Sequence, residues 1–294
     1  MPELPEVETI RRGLETLIVG KTVSATENYG SEKSFPNPAA DVRRFLIGAH
    51  ITGVRRRAKV LLIDLSSEYT LVCHLKMTGQ IIVISDHARW GAGHPSDSFV
   101  RQLPDNTTRQ RIDFTDGTHL YFNDLRKFGW MKLYPTAVVP DIAFMQKVGP
   151  EPLDDSFTGE VLYARLQRRK NTSIKAAILD QTVLAGVGNI YADESLWAAQ
   201  IHPATLVKNI PRSKVDTLCT ETRAVMNLSI EKGGSTDKNY VNAEGKKGSY
   251  LSFAKVFRRE GEPCPRCGTT IIKTRVAGRG THICPRCQKL QLSE

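Results

Sequence analysis

No stretch of this chain stays apolar for the roughly 20 residues that a membrane-crossing helix requires. Its first residues, MPELPEVET, are acidic where a secretion signal would be basic and then apolar. These two absences predict a cytosolic protein that does not span a membrane. Cysteine is scarce, at six in 294 residues, and a disulfide framework is not expected in a reducing cytosol. Cys73 and Cys219 stand alone in apolar segments and read as buried thiols. Internal repeats and long low-complexity tracts are missing as well. The stretch LAGVGNIYADESL lacks the third glycine of a dinucleotide-binding G-x-G-x-x-G, because Tyr191 stands in its place, so that fold is disfavoured. Acid is in short supply. The chain has 31 Asp plus Glu against 41 Lys plus Arg, a net charge of +10, which points to a polyanionic partner, nucleic acid before membrane. The last segment, from Lys255 to Glu294, carries nine Lys or Arg against three Glu, while the first ten residues carry only acid.

The patterning divides a chain long enough for two domains. Val7, Ile10, Leu14, Leu17 and Ile18 share one helical face, and Gly20 stops that helix. Strand-like runs follow: KTVSATE, ITGVRRRAKVLLIDLS, YTLVCHLKM, QIIVIS, RQRIDFTDGTHLYFND and WMKLYP. Asp116-Gly117 inside one of them is a hairpin signal. Trp90 to Thr108 is polar and rich in Gly, Pro and Ser, and reads as a long surface loop. Residues 1–134 are therefore expected to form a β-rich domain with one N-terminal helix. Prolines and Gly149 mark a linker over 135–155. Helices are predicted at about 157–169, 173–182, 188–200 and 211–231, within a helical domain over 156–262. The polar segment 233–250 reads as a loop. The fold class is α+β.

The chemistry-bearing motifs sit at both ends. Cys264, Cys267, Cys284 and Cys287 give C-x2-C-x16-C-x2-C, the spacing of a four-thiolate structural zinc site on a β-hairpin, over 263–294. An iron–sulfur site or unliganded thiols are the alternatives, and His282 reads as hairpin surface. Between the knuckles, Gly278 and Gly280 flank Arg279, whose guanidinium can fork onto a phosphate or remain a solvated turn residue. Gly186 and Gly188 lead into Asn189 at a helix start, either a phosphate site or a plain cap. At the other end, removal of Met1 would make the Pro2 nitrogen a free secondary amine beside Glu3. Such an amine can attack a sugar carbon and form an iminium. The same stretch also reads as ordinary helix-start chemistry, with Pro5 in the first turn and acids at the positive end of the dipole. Lys59, at the start of an apolar strand, would ordinarily be a surface residue. Met77, Arg126 and Phe128 would ordinarily be core and turn residues, but together they form a candidate wedge for a DNA stack.

Taken in order, PELPEVET, RRAK, LRKFG, GPEPL, AGVGNIYADESLWAAQIHP and VAGRGTHICPRC closely resemble the formamidopyrimidine-DNA glycosylase (Fpg) family, from Pro2 to Cys287. The sister family, endonuclease VIII, is similar in design but usually begins with Gly where Leu4 stands. The resemblance implies an N-terminal β-sandwich, a helix-two-turn-helix domain and a zinc-finger hairpin. It implies a bifunctional glycosylase/lyase for oxidised purines such as 8-oxoguanine and formamidopyrimidines in double-stranded DNA, acting as a monomer with one structural zinc. Pro2 would be the nucleophile and Glu3 the general acid/base, with Glu6 a second acid nearby. Lys59 would move protons in β-elimination. Arg279 would grip phosphate and assist δ-elimination. Met77, Arg126 and Phe128 would fill the hole left by an extruded base, while Lys170, Lys175 and Asn189 would hold phosphates. A loop over 235–250 would close on the base.

One departure is plain. Where many members carry His-x-His ahead of the DF-type strand, this chain has Thr107 and Arg109. Arg109 is expected to hold a phosphate, and the histidine role is not transferred to Thr107. Two alternatives stay open: an endonuclease VIII-like enzyme for oxidised pyrimidines, and a non-catalytic zinc-containing DNA-binding protein.

Overall fold

The computed structural model describes residues 2–94, 96–235 and 250–291. The chain divides into two compact units, Met1–Gln146 with Lys232–Ser249, and Lys147–Glu231 with Tyr250–Glu294. The first unit opens with helix α1, Leu4–Ile18, whose first turn holds Pro5 and whose start is fixed by a reciprocal capping box between Glu3 and Glu6. Val19 leaves the helical region and Gly20 turns the chain at φ +85°. Strands β1 Val23–Asn28, β2 Ile51–Arg57, β3 Val60–Leu65, β4 Tyr69–His74, β5 Gly79–Ile84, β6 Arg89–Gly93, β7 Thr108–Phe114, β8 His119–Asp124 and β9 Trp130–Pro135 follow. A short helix α2, Ala39–Asp41, runs into a wider turn between β1 and β2.

All pairings are antiparallel and give two sheets, β1-β7-β8-β5-β6 and β2-β3-β4-β9. Their inner faces make one core with α1, drawing on Ile10, Leu14, Leu61, Ile63, Ile81, Val83, Leu120 and Phe122. The unit is a β-sandwich with an added helix. Strand β3 is apolar along nearly its whole length because both its faces are covered. Leu61 and Ile63 face the core, while Val60 and Leu62 join Val72, Val139, Phe144 and Met145 on the other side. The proline-containing stretch after β9, Thr136–Asp141 and helix α3 Ala143–Lys147, supplies that second cover. Asp116-Gly117 makes the β7–β8 turn as its sequence predicts, with Gly117 at φ +82°.

The stretch from Trp90 to Thr108 is not a loop throughout, because its first residues form β6. Gly91 and Gly93 hide that strand, and Gly91, with Gly13 on the facing helix, serves packing. A side chain at Gly13 of α1 would collide with the Trp90 ring, and one at Gly91 would collide with Phe99. The helix therefore lies directly on β6, and the loop folds back over the outer sheet face, where Phe99 joins Ile82 and Tyr121.

The second unit holds α4 Gly159–Gln167, α5 Ile174–Leu179, α6 Asn189–Ala198, α7 Arg212–Glu231, α8 Tyr250–Phe253 and the hairpin β10 Ile272–Val276 with β11 Arg279–Ile283. Helices α4 and α6 pack on α7, and α6 is flanked by α5 and β11. Every residue from Tyr191 to Trp197 is buried, so α6 has no solvent face along that stretch. Two consecutive carboxylates go inside with it. Glu194 accepts the backbone N–H groups of Lys255, Val256 and Phe257 at 2.8, 2.9 and 2.8 Å. Burial still holds its pKa above the ordinary range, against those hydrogen bonds.

Candidate functional site

At the head of α1, Pro2, Glu3 and Glu6 are all buried. Glu6 uses one carboxylate oxygen on the Glu3 backbone N–H, at 2.9 Å, and the other on the backbone N–H of Ser235, at 2.8 Å. The N-terminal segment is thus anchored. The β2–β3 turn is tied to the same helix: Glu8 takes Arg56 at 3.2 Å, three residues before Lys59. Burial pushes Glu8 up, but hydrogen bonds from Arg12 and Arg11 and the charges of Arg11 and Arg56 outweigh it and hold the carboxyl below its usual range. Ala58 turns the hairpin at φ +54°, which delivers Lys59 to a buried position rather than to a surface edge. His74 pairs with Val60 across β3–β4 and lies within reach of the Lys59 charge. Burial, then the charges of Lys76 and Lys59, take His74 down to about 3, so its imidazole is neutral at physiological pH.

The strand register gathers a second group at one end of the five-stranded sheet, where Gly79 pairs with Asp124 and Thr108 with Asn123. Met77, Leu125, Arg126 and Phe128 are exposed there on two loops. The Arg126 guanidinium lies 4.9 Å from the centre of the Phe128 ring. His94 continues the row beyond β6 and donates its backbone N–H to Gly79. Its pKa is lowered by burial and by the charge at the chain's amino terminus, with Asp124 opposing.

Arg109 corrects an expectation. It is buried, and donates from Nε to the Asp124 carbonyl and from its terminal nitrogens to the carbonyls of Thr108 and Asn106. Those bonds hold loops together and leave no open guanidinium face for a phosphate. Thr107 is likewise engaged, with its hydroxyl on Asp105.

In the second unit, Arg279 is exposed at the first position of β11, after a turn in which Ala277 and Gly278 take φ of +49° and +74°. Asn189 opens α6, and its Oδ1 is buried without a hydrogen-bond partner. Lys170 is exposed. Lys175 is not: it is 0 % exposed and bonds Asp193 at 2.6 Å, the Gly280 carbonyl at 2.9 Å and the Thr281 hydroxyl at 2.8 Å. An ammonium so enclosed supports the hairpin beside Arg279 and does not itself meet a phosphate. His282 is not hairpin surface either. It is buried, with its backbone N–H on Asp193 at 2.9 Å and its ring within 3.2 Å of both Asp193 and Glu260. Of the loop over 235–250 expected to close on a base, residues 236–249 lie outside the described residues.

The four cysteines suit one tetrahedral ion. Their sulfurs lie within 4.8 Å of one another, with Cys267 3.4 Å from both Cys284 and Cys287 and Cys264 4.0 Å from Cys287. A tetrahedron with Zn–S of about 2.3 Å has sulfurs about 3.8 Å apart. These separations are too long for disulfides and too short for four bare thiolates. A hydrogen bond with Thr269 draws Cys267 down to about 6, while burial and the neighbouring sulfurs push Cys287 up to about 12. A cation among them resolves that conflict. Trp197 donates to Cys264 at 3.4 Å and packs under the knuckles, with Arg266 over its ring. The site holds one structural zinc, and four sulfurs leave no open coordination position for chemistry.

Sequence reading missed Asp124, Asp193 and Glu194. The partners of Asp193 and Glu194 lie far along the chain, whereas Asp124 holds the N–H groups of Arg126, Phe128 and Gly129, a local turn pattern that was there to be read.

Three family profiles tile the chain: "Formamidopyrimidine-DNA glycosylase N-terminal domain" over 1–131, "Formamidopyrimidine-DNA glycosylase H2TH domain" over 148–240, and "Zinc finger found in FPG and IleRS" over 261–290. The formamidopyrimidine-DNA glycosylase of Latilactobacillus sakei is 42 % identical over 288 residues, 98 % of each chain. That of Streptococcus pyogenes is 40 % identical over 290 residues, 98 % of this chain and 99 % of its own. Among solved structures, a complex of Lactococcus lactis Fpg with DNA containing an abasic site matches with a TM-score of 0.85 and 34 % identity, over 98 % of this chain and 99 % of that one. Likeness at this level along the whole length has one meaning: the chain belongs to the formamidopyrimidine-DNA glycosylase family of DNA-repair enzymes.

Proposed function

We propose that this glycosylase excises oxidised purines, 8-oxoguanine and formamidopyrimidines, from double-stranded DNA and then cleaves the strand by β,δ-elimination. The observation that carries the reading is the anchored Pro2-Glu3 pair at the head of α1 in a chain of this family. A terminal amine has a pKa of about 7.7–8.0, so a useful neutral fraction exists at physiological pH. With Met1 removed, the Pro2 nitrogen attacks C1′ of an extruded nucleotide, and the C1′–N bond breaks with its electron pair leaving on the base. Glu3 takes the proton that the Pro2 nitrogen sheds on attack and delivers it to the ring oxygen as the sugar opens, giving an iminium that has no N–H to lose and so stays cationic. That cation acidifies C2′–H. Lys59 moves the proton as the 3′-phosphate departs, and a second elimination releases the 5′-phosphate. No redox partner is needed.

Met77, Arg126 and Phe128 fill the vacated stack, and Asn189, Lys170 and Arg279 contact phosphates. The work divides among a catalytic β-sandwich over 1–134, a linker over 135–155, a DNA-binding helical part over 156–262 and the zinc finger over 263–294. The enzyme acts as a monomer on cytoplasmic DNA. Relatives solved with DNA containing formamidopyrimidine, abasic-site and carbocyclic 8-oxo-G residues support the substrate class.

Borohydride tests the mechanism, since it reduces an iminium to a stable amine. Incubation with an 8-oxoguanine duplex is expected to give a covalent protein–DNA adduct through the N-terminal peptide. Absence of an adduct from active enzyme would refute Schiff-base chemistry. Faster excision of thymine glycol than of 8-oxoguanine opposite cytosine would move the enzyme to pyrimidine lesions.

Arg279→Ala should leave the fold and zinc content unchanged, because the side chain is exposed. Binding to every duplex should weaken, with a salt slope smaller by about one unit. Products should also shift toward β-eliminated ends. Unchanged binding, slope and products together would remove Arg279 from the DNA interface.

A further inference from the structure

We infer that Asp124 is a positioning residue that holds Met77 and the Arg126–Phe128 loop in their base-replacing conformation before DNA arrives. The inference rests on the reading that these residues form the wedge, and it adds what aims them. Asp124 is 1 % exposed and its carboxylate faces both wedge loops. One oxygen accepts the Phe128 and Gly129 N–H groups, at 2.8 and 2.7 Å. The other accepts the Thr78 hydroxyl, next to Met77, and the Arg126 N–H at 3.2 Å. The Thr78 oxygen also receives the Arg126 N–H at 3.0 Å, so one carboxylate and one hydroxyl lock the two loops together. The Asp124 backbone extends the clamp to a third loop, donating to the Thr107 carbonyl and receiving Arg109 Nε.

The backbone shows why a clamp is needed. Lys76 and Lys127, each just before a wedge residue, have φ of +51° and +59°. A lysine occupies the left-handed region only where its surroundings hold it there. In both loops that conformation immediately precedes the side chain that must enter the stack. Without the clamp, Met77 and Phe128 sample other directions, and the cost of ordering them falls on the extrusion step.

The test separates extrusion from chemistry. Excision of 8-oxoguanine paired with cytosine requires unstacking a base, whereas an abasic site has no base to unstack. Asp124→Asn and the near-isosteric Thr78→Val should each lower the ratio of paired-lesion excision to abasic-site cleavage by about tenfold in single-turnover assays. Combined with Met77→Ala and Phe128→Ala, Asp124→Asn should add less than about twofold, because there is no wedge left to aim. Equal slowing on both substrates, or a full additional loss in the combined variant, would overturn the positioning role and leave the wedge reading standing. If Met77→Ala with Phe128→Ala excises the paired lesion at the wild-type rate, the wedge reading fails and this inference fails with it. Thr78→Val keeps the test decisive should Asp124→Asn fold poorly.

Discussion

Pro2→Gly should excise 8-oxoguanine about a thousandfold more slowly than the wild type, about 4 kcal/mol of barrier, while its affinity for the same duplex changes little. Glycine retains a terminal amine after Met1 removal but loses two properties. Its imine carries a removable proton, so part of it is neutral and a poor electron sink at physiological pH, whereas the proline iminium is always cationic. Its φ is also free, whereas the ring of a buried Pro2 keeps the nitrogen lone pair in one direction next to the capping box. Intact mass of both proteins, showing loss of Met1, is the required control. Undiminished turnover by Pro2→Gly would show that the nucleophile is elsewhere.

Cys264→Ser should cost the protein its zinc and weaken binding to damaged and undamaged duplexes alike by at least thirtyfold, about 2 kcal/mol. The expected magnitude follows from how small the apolar core beneath the knuckles is. That core consists of Trp197, Val256, Cys264, Ile271 and Cys284, two of them zinc ligands. A module of that size does not keep its fold without metal. With it goes the turn that presents Arg279. Metal analysis should give one zinc per wild-type chain, and chelation of the wild type should reproduce the defect. A zinc-free protein with normal binding would contradict this account.

The zinc end of the chain was the most legible, because two Cys-x-x-Cys pairs leave few arrangements for four sulfurs. At the other end Glu3 also serves the α1 capping box, so Pro2-Glu3 took its chemical reading from the family resemblance. The α1 helix and the Asp116-Gly117 hairpin followed from periodicity and turn preference. Two expectations of phosphate contact, Lys175 by the family resemblance and Arg109 by residue type, do not fit the burial of those side chains. Asp193 in one case and backbone carbonyls in the other enclose them. A sequence names a cation but not its partner, which for Lys175 lies 18 residues away on another helix. Strand β6 was hidden for a similar reason. Of the glycines that make RWGAG look like a loop, Gly91 admits Phe99 and Gly93 lies against the Gly79–Gln80 backbone, while Gly13 on α1 admits Trp90.

The burial of α6 on all sides bears on the timescale of its motions. Opening this helix would bare Tyr191 and Leu196, and would also strip Asp193 and Glu194 of their partners in one event. Amide protons along its middle therefore exchange with solvent only when the whole unit opens, while those of shorter, more exposed helices such as α4 escape by local fraying.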